Sequence, residues 1–352
     1  MLQRDIRAAA PIGALTKRGS PPSSTSMACA RAYGPLNPRA RLGERAVYSA
    51  IVVIGALVWW LSKRHPALIP FWGPWDFSPV VYLATTLVPF WFFRGLSLAP
   101  AIERPAIWRC VIFLLGVAAT HAVMQTRFEY WSQHMFFLNR IQHVVMHHLG
   151  PFLIALGCAG GMIKRGMPWR LRRIAESGYV AVAMRVLQQP LVAAFLFVGL
   201  FYFWLIPTVH FRAMIDARLY AIMNWSMVLD GILFWCLVLD PRPRPPARVS
   251  YGVRAALALG VMFPQIALGA GITFSRTDLY PYYDLCGRLF SAISALNDQH
   301  IGGIVIWIPP AMMSVIAVLL VINALRLHEE STTKVNDEAA ALAQLASKWT
   351  GR

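Results

Sequence analysis

Four histidines and an arginine fall within one short stretch, HMFFLNRIQHVVMHH, from His134 to His148. Most of the residues between them belong in lipid, where an ionisable side chain is expensive and persists only by facing a partner, a cavity or a ligand. His143 and His147 stand four apart, which sets their Cβ atoms about 6 Å apart on one helical face. Two imidazoles so placed can share one metal ion. Met135 and Met146 also share a face, about three helical turns apart. Imidazole with thioether is a ligand set that suits Cu(I). Carboxylates and thiolates are scarce here, which weighs against calcium, magnesium or structural zinc. The stretch predicts a copper-competent polar patch. The competing reading, that a histidine only hydrogen-bonds a neighbouring helix for about 1 kcal/mol, suits any one of them better than it suits the cluster.

The elements that must position this stretch are membrane helices. The chain is 57% hydrophobic and 14% charged, against about 25% charged for a soluble domain. Several runs reach the ~20 apolar residues that cross a bilayer. In lipid the backbone must be satisfied within the segment, so the fold class is all-α, a polytopic transmembrane helical bundle. Eight apolar segments lie near 46–62, 79–98, 105–124, 134–158, 190–208, 218–239, 253–274 and 301–323. Losing the first would leave seven. Pro264 and the Pro309-Pro310 pair predict kinks in the last two. The segment 168–188 reads as one amphipathic helix lying on the membrane surface.

The domain plan is a basic disordered tail over 1–44, a transmembrane domain over 45–325 and a cytoplasmic C-terminal tail over 326–352. The net charge of +17 does not point to nucleic acid, because basic residues gather in cytoplasmic loops. With eight spans and both termini inside, 25 Lys and Arg fall on the cytoplasmic side and seven outside. On that topology eight of the nine histidines lie outside or in the outer-to-middle membrane, and only His328 is cytoplasmic. Arg140 and Asp230, the charges most deeply placed in the spans, are expected to pair. Asp298 and Gln299 are expected to cap the start of the eighth helix, with Gly302 and Gly303 allowing a second helix close. The five scattered cysteines form no C-x-x-C motif.

A set of short elements carries a resemblance. His134-Met135 opens the fourth span, which closes on Pro151, Phe152, Leu153 and Gly157. FWLIPTVH holds Pro207 and His210, GILFW ends on Trp235, and LYPYY covers Leu279 to Tyr283. The most specific element is DQHIGGIVIW, with Asp298, Gln299, Gly302, Gly303 and Trp307. Together they resemble the CtaG family of cytochrome c oxidase assembly proteins, the multi-span kind associated with caa-type oxidases, over roughly residues 50–325. The resemblance implies a bacterial inner-membrane protein that works with oxidase subunits during assembly and delivers copper. It carries over His134, Met135, His210, Asp298, Gln299, Gly302, Gly303 and Trp307. Two departures remove candidate ligands. Leu138 stands four after His134, where the family often has histidine, and the sixth span reads Tyr220 or Asn224 where it often has another.

The expected function is therefore a non-enzymatic oxidase assembly factor handling copper at the outer face, with His134, Met135, His143, His147 and His210 as ligands. A haem-binding membrane cytochrome and a copper transporter are the alternatives. No G-x-S-x-G, H-E-x-x-H or P-loop motif is present, so no hydrolase or transferase chemistry is indicated.

Overall fold

The computed structural model describes residues 38–350, with side chains described over 43–345. Most of the expected N-terminal tail, residues 1–37, lies outside the described residues. The described part is helical, without strands. Its contacts divide the chain into Met1–Val53 and Ile54–Arg352. The first unit contributes the beginning of α1 (Pro38–Arg64), which starts inside the stretch expected as tail. Pro38 stands at the first helical position, where its missing N–H costs nothing.

The second unit holds the remaining elements. They are α2 (Pro79–Leu98), α3 (Ile107–Gln125), the short α4 (Phe128–Ser132), α5 (Phe136–Val144), a π-helical turn (Val145–Leu149), α6 (Gly150–Leu156) and α7 (Gly160–Gly166). Then come α8 (Trp169–Ala175), α9 (Gly178–Leu187), α10 (Pro190–Leu205), α11 (Pro207–Ile215) and α12 (Ala217–Val238). The chain ends with α13 (Tyr251–Thr273), α14 (Tyr282–Leu285) and α15 (Ala295–Thr350). Six helices are long and apolar enough to cross a membrane, and up to eight if each bent pair counts as one span. The bent pairs are α5–α6 with α7, at 79°, and α9 with α10, at 72°. These elements coincide with the eight expected segments.

One local expectation changes. The surface helix expected over 168–188 is two helices, because Ser177 turns extended and caps Val180 N–H to start α9. Helix α15 runs on through the expected C-terminal tail to Thr350, and its described side chains from Glu329 to Leu345 are exposed. Both α13 and α15 remain continuous helix through their prolines.

Lipid offers helices no hydrophobic drive to associate, so close packing and interhelical hydrogen bonds hold the bundle. One end is basic. There Arg94 binds the Gly166 carbonyl, Arg165 pairs with Glu103, and Arg254 ties down the carbonyls of Asp240, Arg242 and Val249. By the positive-inside rule such an end is the one expected on the cytoplasmic side, and the opposite end is called outer in that sense. The opposite end carries the loops 65–78, 126–135 and 274–294. Beneath it the aromatic core brings together Phe136, Phe201, Trp204, Tyr280 and Tyr283.

Candidate functional site: a polar seam along the fourth span

The fourth span begins where α5 begins, and a distant residue sets that point. Met135 is extended, with φ −144°, and offers no side-chain cap. The caps come from Asp298, whose carboxylate accepts from Phe136 N–H at 2.9 Å and from Phe137 N–H at 2.7 Å. Arg288 binds the same carboxylate at 2.6 Å. The expectation that Asp298 caps its own helix is therefore corrected. Helix α15 already starts at Ala295 and Asp298 N–H is spent on Ser294 O, so the carboxylate is free to serve the neighbouring span. A negative charge at that N-terminus also favours the helix dipole.

The rest of the DQHIGGIVIW element locks the same corner. Gln299 does not cap α15 either: it accepts from Leu279 N–H at 2.7 Å and donates to Thr277 O at 3.1 Å, fixing the loop that carries LYPYY. A Cβ on Gly302 would come 2.6 Å from a Phe136 ring carbon, and one on Gly303 would come 2.7 Å from Thr273 N. Both glycines are thus close-approach positions. Trp307 lies over Gly269 on α13, where a Cβ would meet its ring at 2.6 Å.

Farther in, the span widens into the π turn. Proline at 151 has no N–H to give the His147 carbonyl and its ring crowds that carbonyl; the wider turn relieves both. Such turns recur at functional sites. Helix α12 closes on the turn at Gly231, where a Cβ would lie 2.9 Å from Pro151 Cγ. One residue earlier, Asp230 meets His147, with Nε2 to Oδ2 at 3.1 Å. Arg140 and Asp230 are thus not partners, because the rotation of α12 turns Asp230 to the π turn. The carboxylate accepts from Nε2–H, which leaves the lone pair on His147 Nδ1, an atom buried without a partner. A carboxylate behind a histidine fixes its tautomer and raises its basicity as a ligand. His148 turns to α13, where Gln265 Nε2 donates to its Nε2 at 3.1 Å.

The expected ligands do not converge on one point. His143 is fully buried with Nε2 unpartnered, and both His147 and His210 lie close enough to interact with it. His210 spends Nε2 on Tyr283 OH at 3.0 Å, and its Nδ1 is buried without a partner. His134 sits in the turn before α5 with Nδ1 on Tyr130 O at 2.8 Å. Met135 and Met146 are fully buried. Among the described residues, no three His, Cys, Asp or Glu side chains gather as a metal centre. The free nitrogens of His143 and His147, with thioethers nearby in sequence, fit a low-coordinate soft cation such as Cu(I) better than zinc. Arg140 lies beside both His143 and His210, so its charge opposes a cation at either.

Several residues of the seam escaped sequence reasoning. Gln142 donates to Val123 O at 2.8 Å and accepts from Tyr220 OH at 3.2 Å, so Tyr220 takes a polar role where a histidine was looked for. Asn224 is buried with Oδ1 unpartnered, and Leu138 is core. Gln265 carried a usable signal, a polar residue beside Pro264 within an apolar run.

Comparison with curated proteins and with solved structures returned no match. The family model described as cytochrome c oxidase caa3 assembly factor matches residues 90–326. That begins later than the resemblance anticipated, leaving α1 and the outer half of α2 outside it, and it takes in the whole seam. The chain belongs to the caa3-type cytochrome c oxidase assembly factor family.

Proposed function

We propose that the protein assists assembly of a cytochrome c oxidase in a bacterial inner membrane by holding Cu(I) as cargo in the outer half of the bundle. One observation carries this reading. His147, oriented by Asp230 at 3.1 Å, keeps Nδ1 unpartnered inside a π turn, one turn from His143 with its own free Nε2. These two nitrogens would hold the ion; the Asp298 corner fixes the span that carries them. Oxidase subunits would meet the protein at its outer face.

Two measurements test it. Purified protein, loaded anaerobically with Cu(I) and desalted, is expected to retain about one copper per chain, and the His143→Ala/His147→Ala variant to lose it. Cells lacking the protein are expected to make oxidase deficient in copper. Copper-free wild-type protein refutes the cargo reading; fully loaded oxidase in those cells refutes the assembly role.

A further inference from the structure

A cavity of about 730 Å³ opens at the outer end, between the loop after α1, the α4 turn and the start of α12. The charged side chains on its wall are Lys63, Asp76 and Glu129. Lys63 binds Asp76 at 2.9 Å. Among the described residues no cation pairs with Glu129. Burial, together with the nearby Asp76 charge, pushes the Glu129 carboxyl up to about 8. One ammonium group therefore stands against two carboxyl groups, and the wall balances at neutral pH only because Glu129 keeps its proton.

The uncharged part of the wall also lacks a donor. Asn224 lines the cavity, is 4% exposed, and has no partner for its Oδ1. A buried acceptor left unpaired carries a desolvation cost that a donor in the cavity would remove. Tyr220 ties the two acceptors together: its hydroxyl takes a hydrogen bond from the Asn224 amide and lies close enough to interact with Glu129. Trp75 and Trp225 line the same space, and aromatic faces attract cations. Val81, Ile215 and Ala221 add apolar surface. The volume suits a small organic molecule rather than a bare ion.

The geometry points to a binding site, within this cavity, for a small organic monocation that carries N–H donors, an amidine or a primary amine, held by Glu129 and Asn224. On binding, the Glu129 carboxyl releases its proton to water and pairs with the incoming cation, so the wall stays balanced. Asn224 Oδ1 accepts one N–H, and the tryptophans lie against the apolar body. A water-borne amine and the ethanolamine head of a lipid carry the same group. The site uses neither His143 nor His147 and does not depend on the copper reading.

Equilibrium dialysis of full-length detergent-solubilised protein against radiolabelled benzamidine, which stays charged across the pH range used, tests this. Saturable binding near one benzamidine per chain is expected, tightening as pH rises from about 6 to about 9 while Glu129 gives up its proton. Lys63, Asp76 and Tyr220 are the other titratable groups that face Glu129, and Glu129→Gln separates its titration from theirs. That variant should weaken binding on the order of 10-fold at the alkaline end, as loss of a charge partner does, and flatten the pH profile. Asn224→Leu should weaken binding roughly 5-fold and keep the profile. Butylammonium should compete, and tetramethylammonium, which has no N–H, should not. In nanodiscs, binding suppressed by phosphatidylethanolamine but not by phosphatidylcholine assigns the natural cation to a lipid head; equal binding in both assigns it to a water-borne amine. The proposal is overturned by absent saturable binding, by Glu129→Gln binding as the wild type does, or by tetramethylammonium competing as well as butylammonium.

Discussion

Replacing Asp298 tests the most connected residue of the outer corner. Its carboxylate holds two backbone N–H groups of α5 and the Arg288 guanidinium, and is itself fully buried. Losing a helix cap costs about 1 kcal/mol. Breaking a buried ion pair costs roughly 3–5 kcal/mol, because the remaining charge is stranded. The Arg288 side chain is 12% exposed, so water relieves part of that and the lower end applies. Asp298→Asn keeps an acceptor for one N–H but not the charge, and about 3 kcal/mol is expected. Asp298→Ala removes everything, at roughly 4–5 kcal/mol. At about 2 °C per kcal/mol for a chain of this size, thermal midpoints in detergent should fall by roughly 6 °C and 10 °C. Arg288→Met alone should cost less, since Asp298 keeps both backbone partners, and the double variant should show about 2 kcal/mol of coupling. An Asp298→Asn protein that melts with the wild type yet fails in oxidase assembly would falsify the capping account, and would make Asp298 a contact for cargo or partner.

The glycine pair should be unequal. A Cβ at Gly303 meets the α13 backbone at Thr273, which cannot step aside, whereas one at Gly302 meets the Phe136 ring. Gly303→Ala should therefore lower the thermal midpoint more than Gly302→Ala, each within the roughly 1–3 kcal/mol of overpacking; the reverse order would refute this packing. Asp230→Asn should lower Cu(I) affinity about 10–100-fold through His147, and equal affinity by competition titration would exclude that orienting role. Glu129 gives a pH signature. Its folded carboxyl titrates at about 8 against a lower value when unfolded, so the folded state holds a proton the unfolded state has released. Stability should then decline as pH rises towards 8 and level off beyond it. Glu129→Gln should flatten that slope in melts taken across the range, and an unaltered slope assigns it to another group.

What the sequence made legible followed from solvent physics. Apolar runs gave the spans within a few residues. What it hid depended on helix rotation and long-range pairing. Two charges in facing spans, Arg140 and Asp230, suggested a pair, but a hydropathy pattern carries no azimuth. The structure instead gives Asp230 to His147 and leaves Arg140 without an acid. Nor could spacing show that Asp298 caps a helix 162 residues away. The π turn was more accessible. Pro151 four after His147 orphans that carbonyl by rule, and the same four-residue count that put His143 and His147 on one face assumed an ideal helix running through it.

The DQHIGGIVIW element holds other parts of the chain in place. Asp298, Gln299, Gly302, Gly303 and Trp307 each hold something else in place: the start of α5, the LYPYY loop, the Phe136 ring, the end of α13 and the Gly269 notch. Behind that corner the polar groups of the fourth span follow in order. Outermost is Arg140, among the phenols of Tyr280, Tyr283 and Tyr220. His143 follows one turn inward and His147 two, and Asp230 backs His147 alone. A cation held by His143 would lie beside the Arg140 charge. Arg140→Gln should therefore raise Cu(I) affinity, and a competition titration that finds the affinity unchanged or lowered would mean that the ion does not sit next to His143.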